Sequence, residues 1–151
     1  DVGTHQVLQR DAALLRERGL AAFQEYDFSV VHRGWPPTPF RERVMEVFEQ
    51  FFARVSCANI GSRLWTLLME AGFEPPDCRA EYPISGGADS VYYEWFTESF
   101  RSIQPHAIAL GIIAEGEFDL DTLERRMREE ATAGNSCLPA PAMIGAFTRL
   151  R

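Results

Sequence analysis

"GLAAFQEYDFSVVHRGWPP", residues 19–37, begins apolar and turns polar by Glu25. Leu20 to Phe23 form a short continuous apolar run, the pattern of a strand covered on both faces. The run then meets Glu25, Tyr26 and Asp27, passes His32 and Trp35, and stops at Pro36-Pro37. Two carboxylates and a phenol at a strand's end have two explanations. Either the strand opens onto a site, or these residues form a polar strand mouth in which Asp27 or Ser29 closes a turn.

On the N-terminal side, "QVLQRDAALLRER" (residues 6–18) places Val7, Leu8, Ala12, Leu14 and Leu15 at helical spacing and ends at Gly19, which predicts a helix closed by a glycine cap. A capped helix feeding a buried strand is an α/β pattern. Past the prolines, Thr38 can cap a second helix and Pro39 suits its first position. Phe40, Val44, Val47, Phe48, Phe51, Phe52 and Val55 then share one stripe, with Arg41, Glu42, Arg43, Glu46, Glu49, Gln50 and Arg54 on the other side. Four phenylalanines on one stripe fit core packing better than a ligand channel.

"NIGSRLWTLLMEAGF" repeats the pattern through Ile60, Leu64, Leu67, Leu68 and Ala71, with Gly72 placed for a left-handed cap and Phe73 for folding back on the last turn. In "DCRAEYPIS", Cys78, Ala80, Tyr82 and Ile84 alternate with Arg79, Glu81 and Pro83, a strand period whose proline marks an edge. "DSVYYEWFTESFRSI" reads as a helix with Val91, Tyr92, Trp95, Phe96, Ser99 and Phe100 on one side. "PHAIALGII" reads as a second, short helix starting at Pro105. "DLDTLERRMREEATAGN" carries Asp121 and Glu124 spaced as a capping box and ends near Gly134. "PAMIGAFTRLR" is a last apolar strand. No repeat, low-complexity tract or linker interrupts the chain, so residues 1–151 read as one unit.

The whole sequence narrows the function. A chain of 151 residues can bury a real core, and 46% hydrophobic with 25% charged residues is an ordinary globular composition. No apolar run approaches the roughly 18 residues of a membrane span. The net charge of −7 argues against nucleic acid or an anionic membrane as partner. All 15 basic residues are arginine, so Schiff-base chemistry, a P-loop lysine and a lysine general base are excluded. Cys57, Cys78 and Cys137 form no CxxC pair and point to a reducing, cytoplasmic setting. His5, His32 and His106 show no ligand spacing, so no metal is expected. His32 beside Arg33 and Trp35 could touch a substrate, although a loop histidine is usually just exposed.

Taken in order, "LLRERGLAAFQEYDF", "NIGSRLWTLLMEAGFE", a long helical stretch and "PAMIGAFTRLR" resemble the C-terminal half of a class I S-adenosylmethionine-dependent methyltransferase. "LRERGLAAFQE" is similar to that family's turn into its fifth strand, with Glu17 and Arg18 where proline and glycine are commoner. "IGSRLWTLLMEAGFEPPDCRAEYPI" is similar to the helix and turn before the sixth strand, and "AMIGAFTRL" to the seventh. The resemblance implies a partial Rossmann-like α/β fold, with strands five, seven and six near residues 20–25, 142–149 and 78–84. The middle strand would be antiparallel to both neighbours. Helices would lie on the faces of this sheet, and residues 89–132 would form an inserted helical substrate cover.

The function implied is S-adenosyl-L-methionine-dependent methyl transfer to a small organic molecule. The family's glycine-rich turn and ribose-binding acid are missing, because Gly86-Gly87 follow an edge strand. The chain thus reads as a fragment without cofactor-binding residues, inactive alone, with the cofactor bound by the complete domain. The alternative is a non-catalytic small-molecule-binding or interaction domain derived from the same half-fold.

In open α/β sheets ligands bind beyond the carboxyl ends of parallel strands, which makes Glu25, Tyr26 and Asp27 candidate substrate-binding residues. A carboxylate or phenol there could orient a nucleophile or take its proton, although alignment alone supplies much of the rate in such transfers. Trp95 and Phe96 of the cover are candidate pocket-lining residues, against the commoner reading of core packing. No catalytic residue is identified. The free flank of strand 20–25 is apolar, so self-association through it is expected.

Overall fold

The computed structural model describes residues 8, 10, 13–16, 18–30, 33–55 and 58–150. The chain forms two compact units: residues 1–30, 56–82 and 141–151 make the first, and residues 31–55 and 83–140 the second. Both are mixtures of helix and strand.

The first unit is built on a three-stranded sheet of β1 (Leu20–Asp27), β2 (Asp77–Glu81) and β5 (Ala142–Arg149), in the order β1-β5-β2. The central strand is antiparallel to both neighbours, with Leu20 opposite Arg149, Asp27 opposite Ala142, and Glu81 opposite Met143. Helix α2 (Ile60–Glu70) packs on this sheet, and Leu8 and Leu15 join the same cluster. Leu64, Leu67 and Leu68 meet Ala21, Ala146 and Phe73, with Phe23, Ile60 and Ile144 around them. The helix ends as its sequence predicts. Gly72 takes a left-handed φ of 93°, the Gly72 N–H reaches the Met69 carbonyl, the Phe73 N–H reaches Leu68, and Phe73 is buried. At the other end Gly61 lies against the sheet. A Cβ there would sit 2.6 Å from Ile144 Cγ1 and 3.2 Å from Asp27 Cβ, so only glycine allows this approach.

Several expectations for this unit need correcting. Among the described residues β1 is covered on one face rather than two. Ala21, Phe23 and Asp27 turn toward α2, while Leu20, Ala22 and Gln24 are exposed. A run such as LAAF hides this alternation, because small apolar residues serve either face. Of the helix expected over 6–18, Leu8, Arg10, Ala13 and Leu14 are helical, and residues 1–7, 9, 11, 12 and 17 lie outside the described residues. The left-handed residue at its end is Arg18, with φ 58°, not Gly19. Gly19 is needed for space instead, since a Cβ there would lie 2.8 Å from the Arg16 carbonyl oxygen. The strand near 78–84 ends at Glu81, before Pro83, and all five of its residues are exposed.

The second unit packs α1 (Pro39–Val55), α3 (Tyr92–Ala109) and α4 (Leu120–Ala133) beside an antiparallel ribbon of β3 (Ile84–Gly86) and β4 (Cys137–Pro139). Its core joins Val44, Val47 and Phe48 of α1, Phe96 and Phe100 of α3, and Leu123 and Met127 of α4. Phe100 meets Phe48 edge-on at 5.8 Å and Phe118 at 4.9 Å. The short ribbon strands were not foreseen, being three residues each.

Here too the structure departs from the sequence pattern. Thr38 does not cap α1. The carboxylate of Glu130, on α4, accepts from the Phe40 and Arg41 N–H groups at 2.9 and 3.1 Å, and the buried Thr38 hydroxyl has no partner. Arg41, placed by pattern on the polar side, is fully buried. The two helices expected around Pro105 are one, because Phe96, Phe100, Ile103 and Ala107 carry a single buried stripe across it. That packing outweighs the one lost backbone hydrogen bond. The buried face of α3 also holds Tyr93 and Thr97 in place of Val91, Tyr92, Trp95 and Ser99. Tyr93 can be buried because its hydroxyl donates to the Gly87 carbonyl at 3.1 Å and Arg128 lies over its ring. Asp119, rather than Asp121, caps α4, accepting from the Asp121 N–H at 3.0 Å.

Candidate functional site

Glu25, Tyr26 and Asp27 belong to the first unit, Trp95 and Phe96 to the second. Asp27 ends β1 on the side facing α2 and is completely buried. Its Oδ1 accepts from the Ser29 N–H at 2.9 Å and the Ser29 hydroxyl at 2.5 Å. Its Oδ2 accepts from the Ser62 N–H at 2.9 Å and also from the Ser62 hydroxyl. Ser62 lies in the first turn of α2, whose cap residue Asn59 makes no side-chain capping bond. A carboxylate from another strand therefore satisfies an orphan donor of that helix and places its charge where the helix dipole favours it. Burial alone would push the Asp27 carboxyl up; the four bonds outweigh it and hold it below its ordinary value. With both oxygens occupied, Asp27 closes a turn and caps a helix, and has little capacity left for a ligand.

Glu25 shares the α2 side of β1 but remains exposed, and partial burial raises its carboxyl above the ordinary value. Tyr26 points to the opposite face, half-buried, its ring 6.1 Å from that of Phe28. Of the three, Glu25 and Tyr26 keep surface that a small molecule could reach. They do so on opposite sides of the strand, as the pleat dictates.

Among the described residues, concavities adjoin both faces of this sheet. The larger, about 480 Å³, lies on the face away from α2, where Ala22, Gln24, Met143, Gly145, Phe147, Arg79 and Glu81 line it. Its floor is apolar, with Phe147 47% exposed. The Gln24 amide rests 3.6 Å from Met143 Sδ, and Arg79 pairs with Asp77 at 3.1 Å. The alternation of Met143, Gly145 and Phe147 could have revealed this face in the sequence, but an all-apolar strand conceals which side is open. The smaller, about 210 Å³, lies beside the start of α2 and is lined by Ser62, Trp65, Cys78 and Ile144 among others. Burial and the neighbouring Asp77 push the Cys78 thiol up, which keeps it protonated and poorly nucleophilic.

In the second unit Phe96 is fully buried, with the Arg41 guanidinium 5.1 Å over its ring. Arg41 also donates to the Pro139 carbonyl. Trp95 packs edge-on against Phe96 at 5.1 Å and is half-buried. Its outer side lines a shallow groove of about 390 Å³ with Val91, Tyr92, Glu94, Glu98 and Ser99. The structure thus brings Trp95 to a surface groove and places Phe96 in the core behind it.

Among the described residues no group of three or more His, Cys, Asp or Glu side chains is arranged to hold a metal ion, and no helix is long and apolar enough to cross a membrane. His32 lies outside the described residues. No protein-family model matches the chain, and no significant match is found among curated proteins.

Proposed function

We propose that the chain is the substrate-side portion of a class I S-adenosylmethionine-dependent methyltransferase domain acting on a small organic molecule in the cytoplasm. The observation that carries this reading is the sheet. β1 and β2 run in the same direction with the antiparallel β5 between them, and α2 packs on one face. That is the arrangement the family uses for its fifth, seventh and sixth strands. Glu25 is the best candidate for receiving or orienting a proton of the methyl acceptor, since a carboxyl raised by burial binds a proton nearer neutrality. Tyr26 would supply an apolar contact.

The methyl donor does not fit the described residues. Asp27, the acid at the end of β1, already accepts four hydrogen bonds and has little capacity left for ribose hydroxyls. The same misfit, together with the open 480 Å³ concavity, favours the second reading of a non-catalytic binding or interaction domain.

Titration calorimetry separates the two. Residues 1–151 alone are expected to give no binding heat with S-adenosylmethionine. A longer reading frame carrying a glycine-rich strand-turn-helix on the N-terminal side is expected to bind it in the low micromolar range. If the gene encodes no such segment, or the longer protein gives no heat, the methyltransferase reading is lost. In the complete enzyme, at least one of Glu25→Gln and Tyr26→Phe should lower turnover or substrate affinity about ten-fold or more, with donor affinity unchanged. Unaltered kinetics in both variants would remove this end of β1 from the site.

A further inference from the structure

Gly145 sits in the middle of the central strand, and the fold does not ask for glycine there. Its φ is not left-handed, and a Cβ would meet Phe147 Cε2 at 3.7 Å and the Arg79 carbonyl oxygen at 3.9 Å, both ordinary contacts. Gly61 and Gly72 differ, the first required by close packing and the second by its φ. Glycine weakens a strand interior, and it often marks a place that a ligand or another backbone approaches closely. The register shows what surrounds this one. Gln24 of β1 and Arg79 of β2 lie directly opposite Gly145, one on each side, about 4.8 Å away. Met143 and Phe147 flank it along β5, on the same face and about 6.7 Å away. All five residues line the concavity of about 480 Å³ on the face away from α2.

The side-chain layer thus has a gap with a glycine floor, a phenyl ring and a thioether at its ends, and polar groups at its sides. Its volume suits a small molecule, since ligand pockets run to about 300–1,000 Å³. Among the described residues, Gln24 makes one side-chain contact, 3.6 Å to Met143 Sδ, so its carboxamide oxygen and an N–H remain for a partner. Arg79 gives one nitrogen to Asp77 and keeps other N–H donors. Asp77 and Glu81 stand on either side of Arg79 on the same face and weigh against an anion, while Arg79 itself weighs against a cation. We propose that this gap binds a neutral, flat aromatic lactam of one or two rings. The ring lies over Gly145 between Met143 and Phe147. The lactam N–H donates to the Gln24 carboxamide oxygen, and the lactam carbonyl accepts from the Gln24 amide nitrogen. A ring nitrogen on the opposite edge accepts from Arg79. The proposal does not rest on the methyltransferase reading, which assigns no role to Gly145, Gln24 or Arg79.

Titration of the 151-residue chain with quinazolin-4-one, followed by amide chemical shifts, tests it. Saturable binding is expected, with the shifts concentrated at residues 22–24, 79–81 and 143–147. Quinazoline, which has the same rings without the lactam, should bind about five-fold or more weakly. Gly145→Val fills the gap from its floor and should weaken binding about ten-fold or more. Its urea midpoint should equal or exceed the parent's, because valine suits a strand better than glycine and a Cβ has room there. Gln24→Leu keeps the bulk and removes the amide, so it should bring the two compounds to equal affinity. No saturable binding, equal binding of both compounds by the parent chain, a lactam preference kept in Gln24→Leu, or full affinity in Gly145→Val would each overturn the proposal. So would a lowered urea midpoint in Gly145→Val, because the glycine would then serve the fold. None of these outcomes bears on donor binding by a longer protein.

Discussion

Asp27→Ala is expected to destabilise the first unit by about 2–4 kcal/mol, far more than a surface carboxylate would. The substitution removes four hydrogen bonds at once, all to a carboxylate that is itself buried, and leaves the part-buried Ser62 N–H of α2 without its acceptor. Loss of a helix cap alone costs about 1 kcal/mol, and the lost Ser29 bonds and the cavity at a buried position add to that. Urea denaturation followed by circular dichroism gives the number, and a change below about 0.5 kcal/mol would remove Asp27 from its structural role.

The pH dependence carries a definite sign. Because the folded carboxyl sits below its ordinary value, its stabilisation is present above the unfolded value of about 3.9 and disappears as pH falls through the folded one. Asp27→Asn should therefore be less stable than the parent near neutrality, and the gap should narrow in acid below about pH 3.9. A gap that widened in acid would contradict the assignment.

Arg41→Ala should cost the second unit about 3 kcal/mol or more, from the cavity left by a large buried side chain and from the Pro139 carbonyl losing its donor. Arg41→Met restores most of the volume and none of the hydrogen bonding, and it spares the protein the cost of burying a charge. It should lose clearly less than the alanine variant. Equal losses in the two would mean that polar contacts, not packing over the Phe96 ring, dominate at this position. Losses near zero in both would mean that the guanidinium is not integral to the core.

These two residues show where the sequence was legible and where it was not. α2 could be read almost whole, because Ile60, Leu64, Leu67 and Leu68 repeat at helical spacing and Gly72 with Phe73 forms a local terminating motif. Strands β1 and β5 were visible as apolar runs. Long-range capping was not visible. Asp27 reaches Ser62 and Glu130 reaches Phe40 across stretches of chain that pattern does not connect, so Thr38 looked like a better cap than it is. Arg41 was misread because hydropathy ranks a guanidinium as exposed, whereas its flat cation can lie against Phe96 once a carbonyl accepts from it. The candidate site was legible only as a polar strand ending. Which of its members keeps a free face depends on the pleat and on α2, and that separates exposed Glu25 from saturated Asp27.

The central place of β5 has a consequence for how the protein is made. Synthesis delivers β1 before β2, yet neither pairs with the other; each waits for residues 142–149, which leave the ribosome after both. Until then two edge strands and the apolar face of α2 have no hydrogen-bonded centre. The second unit ends at residue 140, before β5 begins. Every nascent chain thus passes through a stage in which the first unit lacks its central strand, and a ribosome that stops before Ala142 releases a product with two orphan strands, a natural substrate for chaperones and proteases.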